Sequence, residues 1–116
     1  MTAITRHDQN TRRSRAVVHG DTVYVAGHTA DDRSADITGQ TQQVLAKIDQ
    51  ILAEAGTDKS KLLSVTIWLQ DMKDFAAMNA VYDAWVVQGS TPTRACGQVT
   101  LALPDILVEI ICTAAR

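Results

Sequence analysis

The sequence predicts an α+β fold, in which two helices pack on one face of a mixed β-sheet. Three observations lead to this fold class. β-rich runs lie towards both ends of the chain, two stretches with helical character lie between them, and the length of 116 residues suits one domain spanning residues 1–116. The predicted order of elements is β-β-β-α-β-α-β-β.

The N-terminal part of the chain predicts a β-hairpin. Residues 16–19 and 22–26 are both rich in β-formers, and only Gly20-Asp21 separates them. A two-residue spacer with glycine is typical of a tight hairpin turn. Gly27 ends the second run, and the residues around Ile4 predict a short additional first strand.

A change of period from about Thr38 predicts the first helix. Gly56 stands just past its end, where a helix C-terminus prefers glycine. The apolar positions that recur at helical spacing on one face are Val44, Ile48, Ile51, Leu52 and Ala55.

The second half of the chain predicts one helix among three strands. Residues 62–69 alternate between apolar and polar positions, as a strand does. A helix is expected at about residues 75–87, capped by Asp71 or Asp74, and residues 88–92 break it. The last two strands are predicted at residues 93–99 and 106–112.

The strands carry more apolar residues than two helices are expected to cover. The residues that suggest this excess are Val17, Val23, Val25 and Val65. An uncovered apolar sheet face usually marks an interface. We therefore expect an oligomer whose sheets pack together around a symmetry axis.

Composition excludes several classes of function. The formal net charge of −2 gives no support for binding nucleic acid or an anionic membrane. No apolar run approaches the ~20 residues of a membrane-spanning helix, and the start has no signal-peptide pattern, so a cytoplasmic location is expected. The two cysteines form no CxxC pair and the three histidines have no ligand spacing, which argues against a metal site.

Glu109 is the most unusual residue, because it stands alone in an apolar strand-like run. Burial would raise the pKa of its carboxyl group above the ~4.3 of a free glutamate, and such a group can exchange protons with water near neutral pH. Arg94, in the preceding strand-like run, can hold a carboxylate through two parallel hydrogen bonds. On spacing alone, a structural ion pair between Arg94 and Glu109 is as good an explanation. Cys96, on the same strand face as Arg94, is a candidate site residue or a small buried side chain.

These residues resemble a known family. Thr91-Pro92-Thr93-Arg94-Ala95-Cys96 and the later run over residues 106–110 resemble the C-terminal signature of the RidA family, the YjgF-like reactive-intermediate deaminases. Residues 25–28 resemble that family's glycine turn, and residues 75–82 resemble its second-helix motif with an asparagine. The resemblance covers nearly the whole chain.

The resemblance implies a chorismate-mutase-like fold of the bacillus type. It also implies a homotrimer, with the sheets forming a central barrel and ligand clefts between neighbouring subunits. The implied activity is hydrolytic deamination of reactive 2-imino acids or enamines released by pyridoxal-phosphate enzymes, such as 2-iminopropanoate and 2-iminobutanoate. The products are 2-oxo acids and ammonia, and no metal or organic cofactor is needed.

The resemblance also assigns roles to individual residues. Arg94 would bind the substrate carboxylate, with Cys96 lining the pocket next to it. Glu109 would orient or activate the attacking water. Gly27 would offer backbone groups near the imine nitrogen, and Asn79 would support the pocket.

Two stretches depart from the family pattern: Gly97-Gln98 after the cysteine, and the segment before the first hairpin. Where typical members carry an aromatic Tyr-Ser-x-Ala segment, this chain has Arg12-Arg13-Ser14-Arg15-Ala16, so that Arg13 replaces a pocket tyrosine. A second arginine in the cleft would favour imines with an additional carboxylate. The departures suggest a sister subgroup rather than the archetypal member.

Two other classes of function compete with the deaminase. A non-catalytic module that binds or senses small 2-oxo acids would need Arg94 but not Glu109. Nucleic-acid cleavage, attributed to some relatives of the family, has little support from the net charge of −2.

Overall fold

The computed structural model describes residues 2–116 and has the predicted α+β architecture, with the elements in the predicted order. The structure adds two short 3-10 turns, Lys59–Lys61 and Met72–Asp74. The strands and helices are β1 Ile4–His7, β2 Ala16–His19, β3 Thr22–His28, α1 Ile37–Glu54, β4 Leu62–Leu69, α2 Phe75–Trp85, β5 Thr93–Gln98 and β6 Val108–Ala115.

The six strands form one mixed sheet in the order β1-β2-β3-β6-β4-β5. β4 and β5 are parallel, whereas every other neighbouring pair is antiparallel. Parallel neighbours need a crossover connection, and α2 supplies it. β6, the last strand in sequence, therefore lies in the middle of the sheet, between β3 and β4.

The N-terminal hairpin forms as predicted, with one extension. His19 pairs with Thr22 across the turn, and Gly20 takes the left-handed conformation with φ +61°. β3 does not end at Gly27 but continues to His28. The pairing of β3 with β6 shifts register between Val25 and His28, which marks a β-bulge around Gly27.

Helix α1 begins and ends with side-chain and backbone caps. The Asp36 carboxylate accepts a hydrogen bond from the Gly39 N–H at 2.8 Å. At the other end, Gly56 has φ +84° and its N–H donates to the Ala53 carbonyl, while the Thr57 N–H donates to Leu52. This pair of bonds is a Schellman motif, which confirms the predicted glycine stop.

The two helices cover one face of the sheet, and the core lies between these layers. Three of the valines expected to exceed the helical cover, Val23, Val25 and Val65, are in fact buried beneath the helices, so that part of the prediction is wrong. The opposite face still carries apolar side chains. Tyr24 is 51% exposed there, and Val17, Trp68 and Ile111 are half-buried.

The predicted bounds of α2 and β6 were wrong. Helix α2 stops at Trp85 rather than continuing to residue 87. β6 begins at Val108, two residues later than predicted, and continues to Ala115. The buried Gln40 amide explains the late start of β6, because it donates to the Asp105 carbonyl at 2.9 Å and accepts from the Leu107 N–H at 3.0 Å. The apolar residues 106–107 are thereby held in a loop.

The predicted capping of α2 is also only partly right. The Asp71 side chain accepts from the Lys73 N–H at 2.8 Å, and so caps the 3-10 turn that precedes the helix. Asp74 stands at the N-cap position of α2 but makes no capping side-chain hydrogen bond.

Candidate functional site

Arg94 lies on β5 with its guanidinium group held against helix α2. Its Nη2 donates a short hydrogen bond to Oδ1 of Asn79. The guanidinium carbon lies 4.7 Å from the ring centroid of Tyr82 and 6.0 Å from that of Phe75. Cation–π contact and the amide oxygen together fix the orientation of the arginine head group.

The topology explains why these side chains meet. β4, α2 and β5 form one crossover unit, which places the helix above the strand that carries Arg94. Phe75, Asn79 and Tyr82 follow the spacing i, i+4, i+7, so they share one face of α2. Asn79 was predicted as a site residue, whereas Phe75 and Tyr82 were not predicted as partners of the arginine. The helical spacing of two aromatic residues around the asparagine was the available signal.

In residues 2–116, the oriented Arg94 has no carboxylate partner. In the part of the chain that the structure describes, ion pairs join Arg15 to Asp8, Arg33 to Asp105 and Lys47 to Asp31. The guanidinium of Arg94 is exposed and keeps hydrogen-bond donors that Asn79 does not use. It can therefore receive an external carboxylate in a bidentate contact.

Cys96 and Cys112 have different surroundings. Cys96 lies on the same face of β5 as Arg94, two residues further on, and is partly buried against the core. Cys112 is 2% exposed on β6, and burial raises the pKa of its thiol to about 12. Cys112 is therefore a core residue and remains a thiol at neutral pH.

Glu109 lies against Gly27. A Cβ atom placed on Gly27 would overlap the Glu109 carboxylate oxygen and come within 3.0 Å of its Cδ. Glycine at position 27 thus leaves the space that the carboxylate occupies. Glu109 is partly buried, and this burial raises the pKa of its carboxyl group above the ordinary value, as predicted.

Within one chain, Arg94 and Glu109 lie on opposite faces of the sheet. Arg94 is in register with Val65 of β4, whose side chain faces the helices. Glu109 is in register with Trp68 of the same strand, and Trp68 points to the other face. The structure therefore excludes the ion pair that spacing alone allowed. It also divides the predicted site residues into an arginine group, Arg94, Asn79 and Cys96, and an acid group, Gly27 and Glu109.

Arg13 lies near the acid group. It lines a cavity of about 170 Å³ together with Arg15, Gly27, His28 and Lys47. His28 is buried, and its Nδ1 lies 2.7 Å from the Ala26 carbonyl, to which it donates. Burial lowers the pKa of the His28 imidazole, and the three neighbouring cations lower it further.

Residues 2–116 contain neither a candidate metal cluster nor a membrane-spanning helix. His, Cys, Asp and Glu side chains form no group of three there that suits a metal ion. Neither helix of this part of the chain is sufficiently long and apolar to cross a lipid bilayer.

Comparison with known proteins gives matches over nearly the full length. Residues 4–116 match the family described as Endoribonuclease L-PSP. A RutC family protein of Haemophilus ducreyi is 43% identical over 112 residues, covering 97% of this chain and 96% of its own. The RutC family protein YoaB of Escherichia coli is 44% identical, with 97% of each chain covered. A member of the YjgF protein family from Neisseria meningitidis superposes with a TM-score of 0.96 at 41% identity, covering 98% of this chain and 95% of its own.

Proposed function

Because this chain belongs to the YjgF/RidA-like family described as Endoribonuclease L-PSP, we propose that it is a deaminase of reactive 2-imino acids. The proposed reaction converts an imine or enamine, released by a pyridoxal-phosphate enzyme, and water into a 2-oxo acid and ammonia. Arg94 carries the proposal, because its guanidinium group is oriented by Asn79 and Tyr82 and has no carboxylate partner among the described residues.

Arg94 would hold the substrate carboxylate. A bidentate arginine contact fixes both the position and the plane of a carboxylate. In a 2-imino acid this plane contains the adjacent C2 atom, so the contact would also orient the reacting carbon. Cys96 would line the pocket beside the clamp.

Glu109 would handle the water. Burial raises the pKa of its carboxyl group, which makes the carboxylate a stronger base towards water. The carboxylate would take a proton as the water oxygen bonds to C2, while the C=N π electrons move to nitrogen. Returning that proton to nitrogen gives a carbinolamine. Glu109 would then take the hydroxyl proton and pass it to the amino nitrogen, so that the C=O bond forms as the C–N bond breaks and ammonia leaves. Backbone groups of Gly27 would lie near the departing nitrogen.

The proposed site needs a second copy of the chain. Arg94 and Glu109 are on opposite faces of one sheet, so one subunit cannot present both to one small substrate. The sheet face that carries Glu109 also has exposed apolar side chains, including Tyr24. We therefore propose a homotrimer in which these sheet faces form a central barrel. Each cleft would take its arginine group from one chain and its acid group from a neighbour.

Direct turnover of unstable imines tests the proposal. A dehydratase acting on serine generates 2-aminoacrylate, and its decay to pyruvate is followed with and without the purified protein. The protein should accelerate this decay, and imines from other amino acids should give the same result. A rate equal to the spontaneous one for every precursor would refute the proposed activity.

The orientation of Arg94 equally favours a second candidate, a non-catalytic sensor of small 2-oxo acids. Two variants separate these functions. An enzyme loses turnover in both Arg94→Ala and Glu109→Gln. A sensor loses ligand binding only in Arg94→Ala and shows no turnover in the wild type.

A further inference from the structure

We infer that the cavity beside Gly27 binds a second carboxylate, so that the preferred substrates are dicarboxylic 2-imino acids. The substrate class rests on the proposed function, whereas binding of the second carboxylate is a property of the cavity itself. The cavity has a volume of about 170 Å³ and is lined by backbone and side chains of Arg13, Arg15, Gly27, His28 and Lys47, among others. This volume suits a carboxylate group and its adjoining carbon atom.

The charges around the cavity leave one cation unpaired. Arg15 is paired with Asp8 at 2.9 Å, and Lys47 with Asp31 at 2.6 Å. Arg13 donates from Nη1 to the backbone carbonyl of Asp8 at 2.8 Å and has no carboxylate partner in the described chain. One bound carboxylate would therefore neutralise the unpaired charge of Arg13.

The backbone that carries Arg13 is already ordered. Oδ1 of Asn10 accepts hydrogen bonds from the backbone N–H groups of Arg12 and Arg13 at 2.8 and 2.9 Å. The Asn10 N–H donates in turn to the Arg13 carbonyl at 2.8 Å. A preorganised loop loses less conformational entropy when a ligand binds.

The cavity adjoins the acid group of the proposed site. Gly27 lines the cavity and also contacts the Glu109 carboxylate. A substrate whose C2 atom lies near Glu109 could thus extend its distal carboxylate past Gly27 towards Arg13. The other carboxylate of the same substrate, which is bonded to C2, would remain on Arg94 of the neighbouring chain.

His28 provides an internal probe of anion binding. Its imidazole is buried in the cavity wall, and the charged groups facing it are Arg13, Arg15 and Lys47, all of which disfavour the protonated ring. An anion bound among these cations would offset their repulsion of the protonated His28 ring. The pKa of His28 should therefore rise when the cavity is occupied.

Matched pairs of stable 2-oxo acids test the inference. 2-Oxoglutarate and 2-oxopentanoate have the same chain length and differ in the terminal carboxylate. In NMR titrations of the assembled protein at low salt, 2-oxoglutarate should bind about tenfold more tightly and raise the pKa of His28. Arg13→Gln should remove most of this preference. Arg12→Gln, which alters the adjacent arginine outside this cavity, should retain it.

The outcomes separate this inference from the proposed activity. Equal affinity for the two acids in the wild type, or an undiminished preference in Arg13→Gln, overturns the inference even if imines are hydrolysed. An Arg13-dependent preference in a protein that hydrolyses no imine supports the carboxylate site and overturns only the deaminase. If turnover is present, the imine derived from aspartate should be preferred to that from alanine, and the ratio should fall in Arg13→Gln.

Discussion

The carboxylate of Glu109 occupies the space that any side chain at position 27 would need. Gly27→Ala should therefore displace Glu109 from its observed position. The obstructing atoms belong to the flexible end of one side chain, and Gly27 does not have a positive φ, so the fold should tolerate the methyl group. We expect imine turnover to fall at least tenfold, with a change in unfolding free energy below about 1 kcal/mol.

A double-mutant cycle identifies the cause of this loss. If Gly27→Ala acts by moving Glu109, it should cause little further loss in a Glu109→Gln background. Additive effects of the two substitutions would instead indicate that the glycine has a separate role.

Mixing two inactive variants tests the division of the proposed site between chains. Arg94→Ala retains the acid group, and Glu109→Gln retains the arginine group. When the two are unfolded together and refolded as mixed oligomers, about one quarter of the clefts should be intact by random assortment. Activity should therefore recover to about a quarter of the wild-type rate. Mixtures that stay as inactive as their parents would place the whole site within one chain.

Tyr82 should support substrate binding through the arginine. Its ring lies under the Arg94 guanidinium, at 4.7 Å from the guanidinium carbon to the ring centroid. Tyr82→Leu removes the ring face, and a loss of about 1 kcal/mol of cation–π stabilisation should raise KM roughly fivefold. Tyr82→Phe keeps the ring and should leave KM near the wild-type value. Steady-state kinetics on both variants distinguishes loss of the ring from loss of the hydroxyl group.

The burial of Glu109 predicts how stability depends on pH. Burial favours the neutral carboxyl group, so the pKa of Glu109 is higher in the folded state than in the unfolded state. The wild type therefore has its full stability below the unfolded-state pKa of about 4.5 and loses stability as pH rises through the folded-state pKa. Glu109→Gln should therefore gain stability relative to the wild type as pH rises from about 4.5 through the folded-state pKa. Urea unfolding of both proteins across this range measures the difference. A difference independent of pH would argue against a perturbed carboxyl group.

Gln40 should be the polar residue on which the loop before β6 most depends. It is fully buried, and its amide bonds the backbone of Asp105 and Leu107. Gln40→Leu leaves these backbone groups without partners and should lower the free energy of unfolding by about 2–4 kcal/mol. Gln42→Leu, at an exposed position of the same helix, should change it by less than about 0.5 kcal/mol. Equal effects of the two substitutions would contradict the role of Gln40.

Local patterns were sufficient to predict most of the fold. The apolar face of α1 and its stop at Gly56 follow from helical spacing and from the left-handed conformation that glycine adopts. The late start of β6 could not be foreseen, because it depends on Gln40, more than sixty residues away. The apolar residues 106–107 predict a strand when the contact with that distant amide is not known.

The candidate site was less accessible to sequence reasoning. Alternation predicts which residues share a face of one strand, but not how the faces of two strands correspond. That correspondence is set by the register of Arg94 and Glu109 against β4, which neither local run specifies. Family resemblance supplied the candidate residues, whereas their separation within one chain required the structure.

The parallel pairing of β4 with β5 has a consequence for local stability. The arginine group is assembled from one contiguous segment, residues 62–98, whereas Gly27 and Glu109 meet only when β3 pairs with a strand about eighty residues later. The two groups therefore differ in the sequence separation of the contacts that build them. Partial opening of the β3–β6 pairing would release Glu109 while the arginine group stays folded. Under the proposed function, such a molecule would still bind a carboxylate but would no longer hydrolyse an imine.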